Sequence, residues 1–444
     1  AEFLEKAGTL GSVLGLDNIR NLMAELEDVQ EKLSIIHVAG TNGKGSVGAM
    51  LEMVLRTAGY CTGRYSSPAV FCSGEKYQVN GISIETMEFD CVIAEIADAC
   101  GRMAAKGLAH PTLFEIETAA AFLWFYRKNC QVVIMETGLG GILDATNIIR
   151  KPLCSVITSI SMDHMAFLGD TLTEIAKAKA GIIKEGCPVV SARQEPEVCE
   201  VLRRECARKH TALYVSDGEI SNVRYETCAD GEGVYARHEE CGSGQPERLV
   251  FSWREFREVA LSLLGVYQPD NAVCVIETVQ CLKRCGFVIS EEMLRRGLAN
   301  TLWPGRFEII KREPLVVIDG AHNRDAAKKL RKTLEMGFTN RKIIYIIGVL
   351  ADKEHEKMLA CMLPLAWKVY TVTPDHPRAL SGETLCKEAE KYHGQAAYCS
   401  TIREALERAL GDDGDMILAF GSLSYLGAVK EALRSIYWRK QQDR

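Results

Sequence analysis

A run of apolar residues, a knot of glycines around one lysine and a second apolar run make up "IIHVAGTNGKGSVGAML", which begins at Ile35. Gly40, Thr41, Asn42, Gly43, Lys44, Gly45 and Ser46 would form a short loop between a strand and a helix. Such a loop aims several backbone N–H groups and the positive end of a helix dipole at one point, which favours a phosphate. Lys44 would add a mobile positive charge, so nucleotide binding is the chemistry expected here. The loop is shorter than the usual G-x-x-x-x-G-K-[ST] phosphate loop, and Gly45 separates Lys44 from Ser46. Whether Ser46 would reach a metal or only a phosphate is open at this point.

In open α/β sheets, ligand groups gather beyond the carboxyl ends of the strands. Glu136 follows "VVIM", and Asp163 and His164 follow "VITSISM". Taken singly, a strand-end glutamate can be merely solvated and a histidine merely hydrogen-bonded. Beside a phosphate loop in the same sheet, a carboxylate becomes a natural magnesium ligand.

The elements that must carry these residues follow from hydrophobic period. In "LDNIRNLMAELEDVQ" the spacing of Ile19, Leu22, Met23 and Leu26 predicts an amphipathic helix. "KLSIIHVAG" reads as the strand before the loop, and "SVGAMLEMVLRTAG" as a helix stopping at Gly59. Further strands are expected at "CQVVIMETG", "CSVITSI" and "CPVVSA", with helices at "FEIETAAAFLWFYRK" and "TLTEIAKAKAGIIKE" between them. This alternation predicts an α/β fold with a mostly parallel sheet. From Ser216 to Trp253, turn residues and short alternating pieces predict antiparallel excursions. A second alternating series, "PLVVIDG", "KIIYIIGVL", "AWKVYTVTP" and "DMILAFG", with helices such as "NRDAAKKLRKTLEMG", predicts a second α/β domain. The boundary falls near Asn300 and Thr301, giving domains at 1–300 and 301–444.

Composition narrows the function classes. At 444 residues the chain exceeds the roughly 100 to 200 of one domain. The net charge of -6, without a concentrated basic tract, argues against nucleic acid as a partner. No apolar run approaches the roughly 20 residues that span a bilayer, and the first residues lack a basic-then-apolar leader pattern, so no membrane association and a cytoplasmic location are expected. The 17 cysteines are dispersed, mostly in apolar runs such as those of Cys91, Cys130, Cys154 and Cys274, with no C-x-x-C pair. They read as small buried hydrophobes, not as a disulfide or zinc framework.

"HVAGTNGKGS", "YSSP", "EKYQVNG", "LFEIETAAAF", "GLGGILDATN", "ITSISMDH", "LGDTLTEIAKAKAGIIK", "YQPDNA", "WPGRFE", "DGAHN" and "GSLSYLG" occur in this order. The series resembles the folylpolyglutamate synthase and dihydrofolate synthase family of the Mur ligase superfamily. The resemblance runs from about Gly11 to Gly427. It implies a P-loop, mostly parallel ATPase domain with a folate site, then a smaller Rossmann-like glutamate ligase domain.

Such enzymes use ATP to phosphorylate a folate-side carboxylate, and the amine of L-glutamate then attacks the acyl phosphate. Tetrahydrofolate is the implied acceptor, with dihydropteroate as a second. The resemblance implies magnesium ligands at Ser67, Glu136 and His164, and a carbamylated Lys179. It brings Arg306 and Asp319 to the nucleotide, Asn271 near the adenine and His322 near the reacting phosphate, so that both domains contribute. A monovalent cation and a monomeric state are also implied. The chain departs from the family at Ala69 in "SPA", at Ile142 where arginine is common, and at Ala178 where "EKAGI" has glutamate before the position of Lys179. A nucleotide-binding homologue with decayed catalysis, and a Mur-type ligase for another acceptor, are the alternative readings.

Overall fold

Most of the short apolar runs bounded by turn residues fold here as strands, the central ones covered on both faces. The first eight are Ile35–Ala39 (β1), Thr62–Tyr65 (β2), Tyr77–Val79 (β3), Ile82–Ser83 (β4), Val132–Glu136 (β5), Cys154–Ile157 (β6), Val189–Ala192 (β7) and Leu213–Ser216 (β8). They form one sheet in the order β4-β3-β2-β5-β1-β6-β7-β8. From β2 across to β8 all pairings are parallel, and only the β2–β3 and β3–β4 pairings are antiparallel. Every residue of β1, β5 and β6 is buried, as expected of a parallel sheet with helices on both faces. The sequence expectation named β1, β5, β6 and β7. It missed β2, whose "TGRY" carries no apolar run.

The structure, a computed structural model, describes residues 2–9, 11, 15–163, 165–227 and 247–442. The chain divides into two compact units, one of Ala1–Ile220 with Asp270–Thr301, the other of Ser221–Pro269 with Leu302–Arg444. In the first, the helix Leu113–Arg127 starts at a reciprocal cap. The Thr112 N–H donates to Glu115 Oε2 at 2.7 Å while Thr112 Oγ1 accepts from the Glu115 N–H. Its Phe122 and Phe125 join Ile96 and Met135 in the core of one sheet face. Further along the same face Ile157, Ile175, Ile182 and Leu202 pack together. The helix expected through "TLTEIAKAKAGIIKE" ends early, at Leu172–Ala180, and the chain turns so that Ile182 and Ile183 enter that core.

The second unit contains an antiparallel sheet of Ile220–Glu226 (β9), Arg248–Trp253 (β10) and Phe256–Leu261 (β11). Its larger sheet is built from Glu308–Lys311 (β12), Leu315–Ile318 (β13), Ile343–Ile347 (β14), Ala366–Thr371 (β15), Ala396–Tyr398 (β16) and Met416–Phe420 (β17). The order is β12-β13-β17-β14-β15-β16, parallel except for β12 at the edge. The sequence reading put everything before residue 301 in one domain. The contacts place Ser221–Pro269 with the second unit instead: the Tyr225 ring packs on Phe338, its hydroxyl donates to the Leu264 carbonyl at 2.7 Å, and the Val266 N–H donates to Thr333 Oγ1 at 3.1 Å. Residues 228–246 of the expected antiparallel stretch lie outside the described residues.

Fifteen cysteines are described, all as free thiols. Cys130, Cys154 and Cys274 are buried as expected, but Cys91 is exposed, on the outer side of the helix Thr86–Ala105. Among the described residues no helix is long and apolar enough to cross a membrane.

Candidate active site

The glycine loop joins β1 to the helix Lys44–Thr57, whose N-cap is Gly43. Gly43 has φ +95°, a conformation that side chains resist, and a Cβ there would collide with Asn271 Oδ1. Asn271 thus lies against the loop, in the same unit. The loop is stitched to the segment leaving β6. The N–H groups of Thr41 and Asn42 both donate to the Ser159 carbonyl, at 2.8 and 3.2 Å, and Thr41 Oγ1 donates to the Ser161 carbonyl at 3.0 Å. With no side chain on Gly43 to cap it, the first turn of the helix keeps its N–H groups turned toward the loop. Ser46 is buried within that turn.

Lys44 Nζ donates to the Gly40 carbonyl at 3.1 Å and lies 4.0 Å from Glu136 Oε1. Glu136 closes β5 directly beside β1, with Val38 opposite it, and is 8% exposed. β2 ends at Tyr65, in register with Met135, so Ser66 and Ser67 run on past the level of Glu136 at the same sheet edge. His164 lies outside the described residues; its neighbour Asp163 is described, and its charge acts on Lys179. No group of three or more His, Cys, Asp or Glu side chains comes together among the described residues. One carboxylate, a hydroxyl and a phosphate loop suit magnesium, which keeps several waters and takes much of its shell from phosphate oxygens.

Lys179 is not the surface helix residue that its sequence context alone suggests. It is 4% exposed, and its Nζ donates to the Gly40 carbonyl at 2.7 Å, so two lysines converge on one loop oxygen. Burial, followed by the charge of Lys44, lowers its pKa to about 7, against the opposing pull of Asp163 and Asp144.

The "GLGGILDATN" segment holds this lysine in place. The Ile142 N–H donates to the Ala178 carbonyl at 2.9 Å, and Asn147 Nδ2 reaches the carbonyls of Ile142 and Gly181, both at 3.1 Å. A Cβ on Gly181 would sit 2.5 Å from Ile142 Cα, backbone that cannot swing aside. Gly181→Val is therefore expected to cost about 1–3 kcal/mol in urea unfolding; an unchanged midpoint would show the loop is not packed this way. Ile142, at the arginine position, is exposed.

Three residues beneath the site escaped the sequence reading. His37 sits on β1, fully buried, with Nε2 2.8 Å from Thr146 Oγ1. That hydroxyl donates to Asp144 Oδ1 at 2.6 Å, so it accepts from His37, which fixes the proton on Nε2. Asp144 also accepts from the Leu139 N–H at 2.8 Å, tying the glycine-rich segment down. Burial, aided by the charge of Lys184, lowers the His37 pKa to about 3. Because its folded pKa lies below the unfolded one near 6.5, its contribution to stability is complete above pH 6.5 and is lost as pH falls toward 3. His37→Gln should remove that dependence, so the stability gap between wild type and variant shrinks on acidification by up to ~1.4 kcal/mol per pH unit. Parallel urea-midpoint curves between pH 7 and pH 4.5 would contradict the assignment.

In the second unit, Asp319 follows β13 and is 2% exposed. Its Oδ1 accepts from the Ala321 N–H at 2.8 Å, and its Oδ2 from the Phe307 N–H at 2.7 Å and the Tyr267 hydroxyl at 3.1 Å. Burial raises the pKa of this carboxyl, with the Arg306 charge the largest opposing effect. Asp319 thus fastens "GRF" and "YQP" to the "DGAHN" turn and holds Arg306 beside it. A Cβ on Gly320 would meet Arg306 Nη1 at 2.8 Å. His322 Nδ1 donates to the Gly320 carbonyl at 2.8 Å, and the Asn323 side chain caps the helix Arg324–Gly337 by accepting from the Ala326 N–H.

Comparison with known proteins agrees with this fold. Residues 38–279 match the Mur ligase middle domain and residues 305–423 the Mur ligase glutamate ligase domain. The chain is 34% identical to the dihydrofolate synthase/folylpolyglutamate synthase of Bacillus subtilis (strain 168) over 423 residues, 95% of each chain. It is 32% identical to the folylpolyglutamate synthase of Lacticaseibacillus casei, covering 94% of this chain and 93% of that one. Among solved structures, Mycobacterium tuberculosis folylpolyglutamate synthase complexed with ADP superposes with a TM-score of 0.85 at 29% identity, covering 97% and 96% of the two chains. E. coli FolC in complex with DHPP and ADP gives 0.82 at 29% identity, covering 99% and 98%.

Proposed function

Since the chain belongs to the folylpolyglutamate synthase and dihydrofolate synthase family of Mur ligases, we propose that it uses ATP to join L-glutamate to tetrahydrofolate, with dihydropteroate as a second acceptor. The observation that carries this reading is the convergence of Lys44, Glu136 and Lys179 on the loop after β1. That is the equipment of phosphoryl transfer, in a chain aligned along 95% of its length with a dual synthase.

A carboxylate oxygen of the acceptor attacks the γ-phosphorus of ATP, and the bond to ADP breaks. The resulting acyl phosphate has a good leaving group where the carboxylate had none. The glutamate amine then attacks the acyl carbon, loses a proton and expels inorganic phosphate. Lys44 and the N–H groups of the following turn hold the charge of the transferred group. Magnesium, held by Glu136 and Ser67 with His164, supplies further charge neutralisation when bound. Lys179 is poised for carbamylation, because an amine with a pKa near 7 is largely neutral at physiological pH and can add carbon dioxide. Arg306 and His322 are assigned to nucleotide and reacting phosphate, with Asp319 holding Arg306 in place and Asn271 on the adenine side.

The test is the purified protein with ATP, magnesium and L-glutamate, given tetrahydrofolate or dihydropteroate. Glutamylated product and stoichiometric phosphate are expected. Their absence with both acceptors overturns the reading in favour of a nucleotide-binding homologue or another acceptor.

A further inference from the structure

Cys61 and Cys130 lie side by side at the edge of the first sheet remote from the phosphate loop. Cys61 stands just before β2 and Cys130 two residues before β5, strands that pair in parallel with Thr62 opposite Val132. The Cys61 carbonyl accepts from the N–H groups of both Gln131 and Val132, at 2.8 and 3.3 Å, and the Cys61 N–H donates to Gln131 Oε1 at 2.8 Å. These bonds pin one cysteine beside the stretch of chain that carries the other. Gly63, two residues past Cys61 and so on the same face of the strand, leaves the room they share: a Cβ there would meet Cys130 Sγ at 3.3 Å. Both cysteines pack on the same apolar core as Phe125 and Met135.

The two thiols differ in access. Cys61 is half-buried; its sulfur accepts from Asn80 Nδ2 at 3.7 Å and its thiol is directed at the Lys128 carbonyl at 3.9 Å. Cys130 is 8% exposed and in hydrogen-bond contact with Cys61. Burial, followed by the neighbouring Cys61, pushes the Cys130 thiol up to about 12, so it stays protonated behind its partner. An outer sulfur backed by an inner thiol is the arrangement of an attacking and a resolving cysteine. The ligase reaction uses neither, and Ser67 lies about 20 Å of extended chain beyond Cys61.

We propose that Cys61 and Cys130 are a reversible oxidation site that takes peroxide and closes to a disulfide across the amino ends of β2 and β5. Cys61 Sγ attacks one peroxide oxygen, the O–O bond breaks, and the thiol proton leaves with the other oxygen as water, so that Cys61 becomes a sulfenic acid. Cys130 Sγ then attacks Cys61 Sγ, the S–O bond breaks, and the hydroxyl leaves with the Cys130 proton as a second water. The two sulfurs together give up the two electrons that reduce the peroxide. A dithiol reductant reopens the bond by exchange. The disulfide closes a loop that holds β3, β4 and the helices Thr86–Ala105 and Leu113–Arg127, so it stabilises the first unit by restricting its unfolded chain.

The test treats the reduced protein with stoichiometric hydrogen peroxide, alkylates the remaining thiols and maps the peptides by mass. A linked pair containing Cys61 and Cys130, separated again by a dithiol, is expected. The urea midpoint of the first unit should rise by about 0.5–1.5 M on oxidation and return on reduction. Cys61→Ser, at a half-buried position, should fold as the wild type does and lose both the linked pair and the rise. In Cys130→Ser the sulfenic acid should persist on Cys61, where dimedone traps it, with no rise in midpoint. Oxidation confined to other cysteines such as Cys285, a link from Cys61 to any other cysteine, or a midpoint rise retained in Cys61→Ser overturns the proposal. None of these readouts uses turnover, so they stand apart from the test of the ligase reading.

Discussion

Lys44→Ala is expected to lower ligase turnover by about 10²–10³-fold or more while the protein stays folded. The side chain has no packing role comparable to its charge. Its Nζ touches the Gly40 and Thr41 carbonyls and stands 4.0 Å from Glu136. Removing it leaves the loop geometry to Gly43, the Ser159 and Ser161 contacts and Asn271, none of which depends on the ammonium. What disappears is the positive charge fixed beside the transferred phosphoryl group, in a site walled by buried strands where such a charge acts strongly. The loss should fall on kcat more than on the KM for the folate acceptor, because the charge matters most in the transition state. A folded variant with near-normal turnover would remove Lys44 from the mechanism.

The second large effect concerns Lys179. Lys179→Met should lose most activity, by about 10²-fold if an anion at this position helps organise the metal site. Wild-type enzyme supplied with bicarbonate should weaken as pH is lowered from 8 to 6, because protonation removes the neutral amine that carbon dioxide needs, and at pH 8 removing carbon dioxide should weaken it until bicarbonate is returned. The Met variant should not respond. Stability supplies an independent readout with a definite sign. The folded pKa of about 7 lies below the unfolded value of 10.5, so unmodified Lys179 costs nothing above pH 10.5 and its full penalty is felt below about pH 7. The inactive Met variant should therefore be more stable than carbon-dioxide-free wild type at neutral pH, by a margin that narrows as pH rises toward 10.5 and stays constant below about pH 7. An equally active variant, or a wild type indifferent to carbon dioxide, contradicts the carbamate.

The phosphate loop was legible because its signal is local: glycines around a lysine at a strand-to-helix junction admit few other structures. Glu136 was legible for the same reason, as a carboxylate just where an apolar run ends. The burial of Lys179 was not, since the helix pattern around it shows Lys177 and Lys179 alike. Only the packing of "GLGGI" across Gly181 separates them, and that contact joins segments some forty residues apart. His37 stayed hidden as one polar letter in an apolar run, its purpose set by Thr146 and Asp144 more than a hundred positions away. The alternation in "ISNVRYE" predicted antiparallel strands. It could not say which unit they join, because that depends on Tyr225 finding Phe338.

The acyl phosphate is the centre of this account, and isotope transfer tests it most directly. With an acceptor whose reacting carboxylate carries heavy oxygen, mass spectrometry of the released phosphate should find one labelled oxygen for each glutamate added. Product formed with unlabelled phosphate would contradict phosphorylation of the acceptor and with it the mechanism assigned to Lys44.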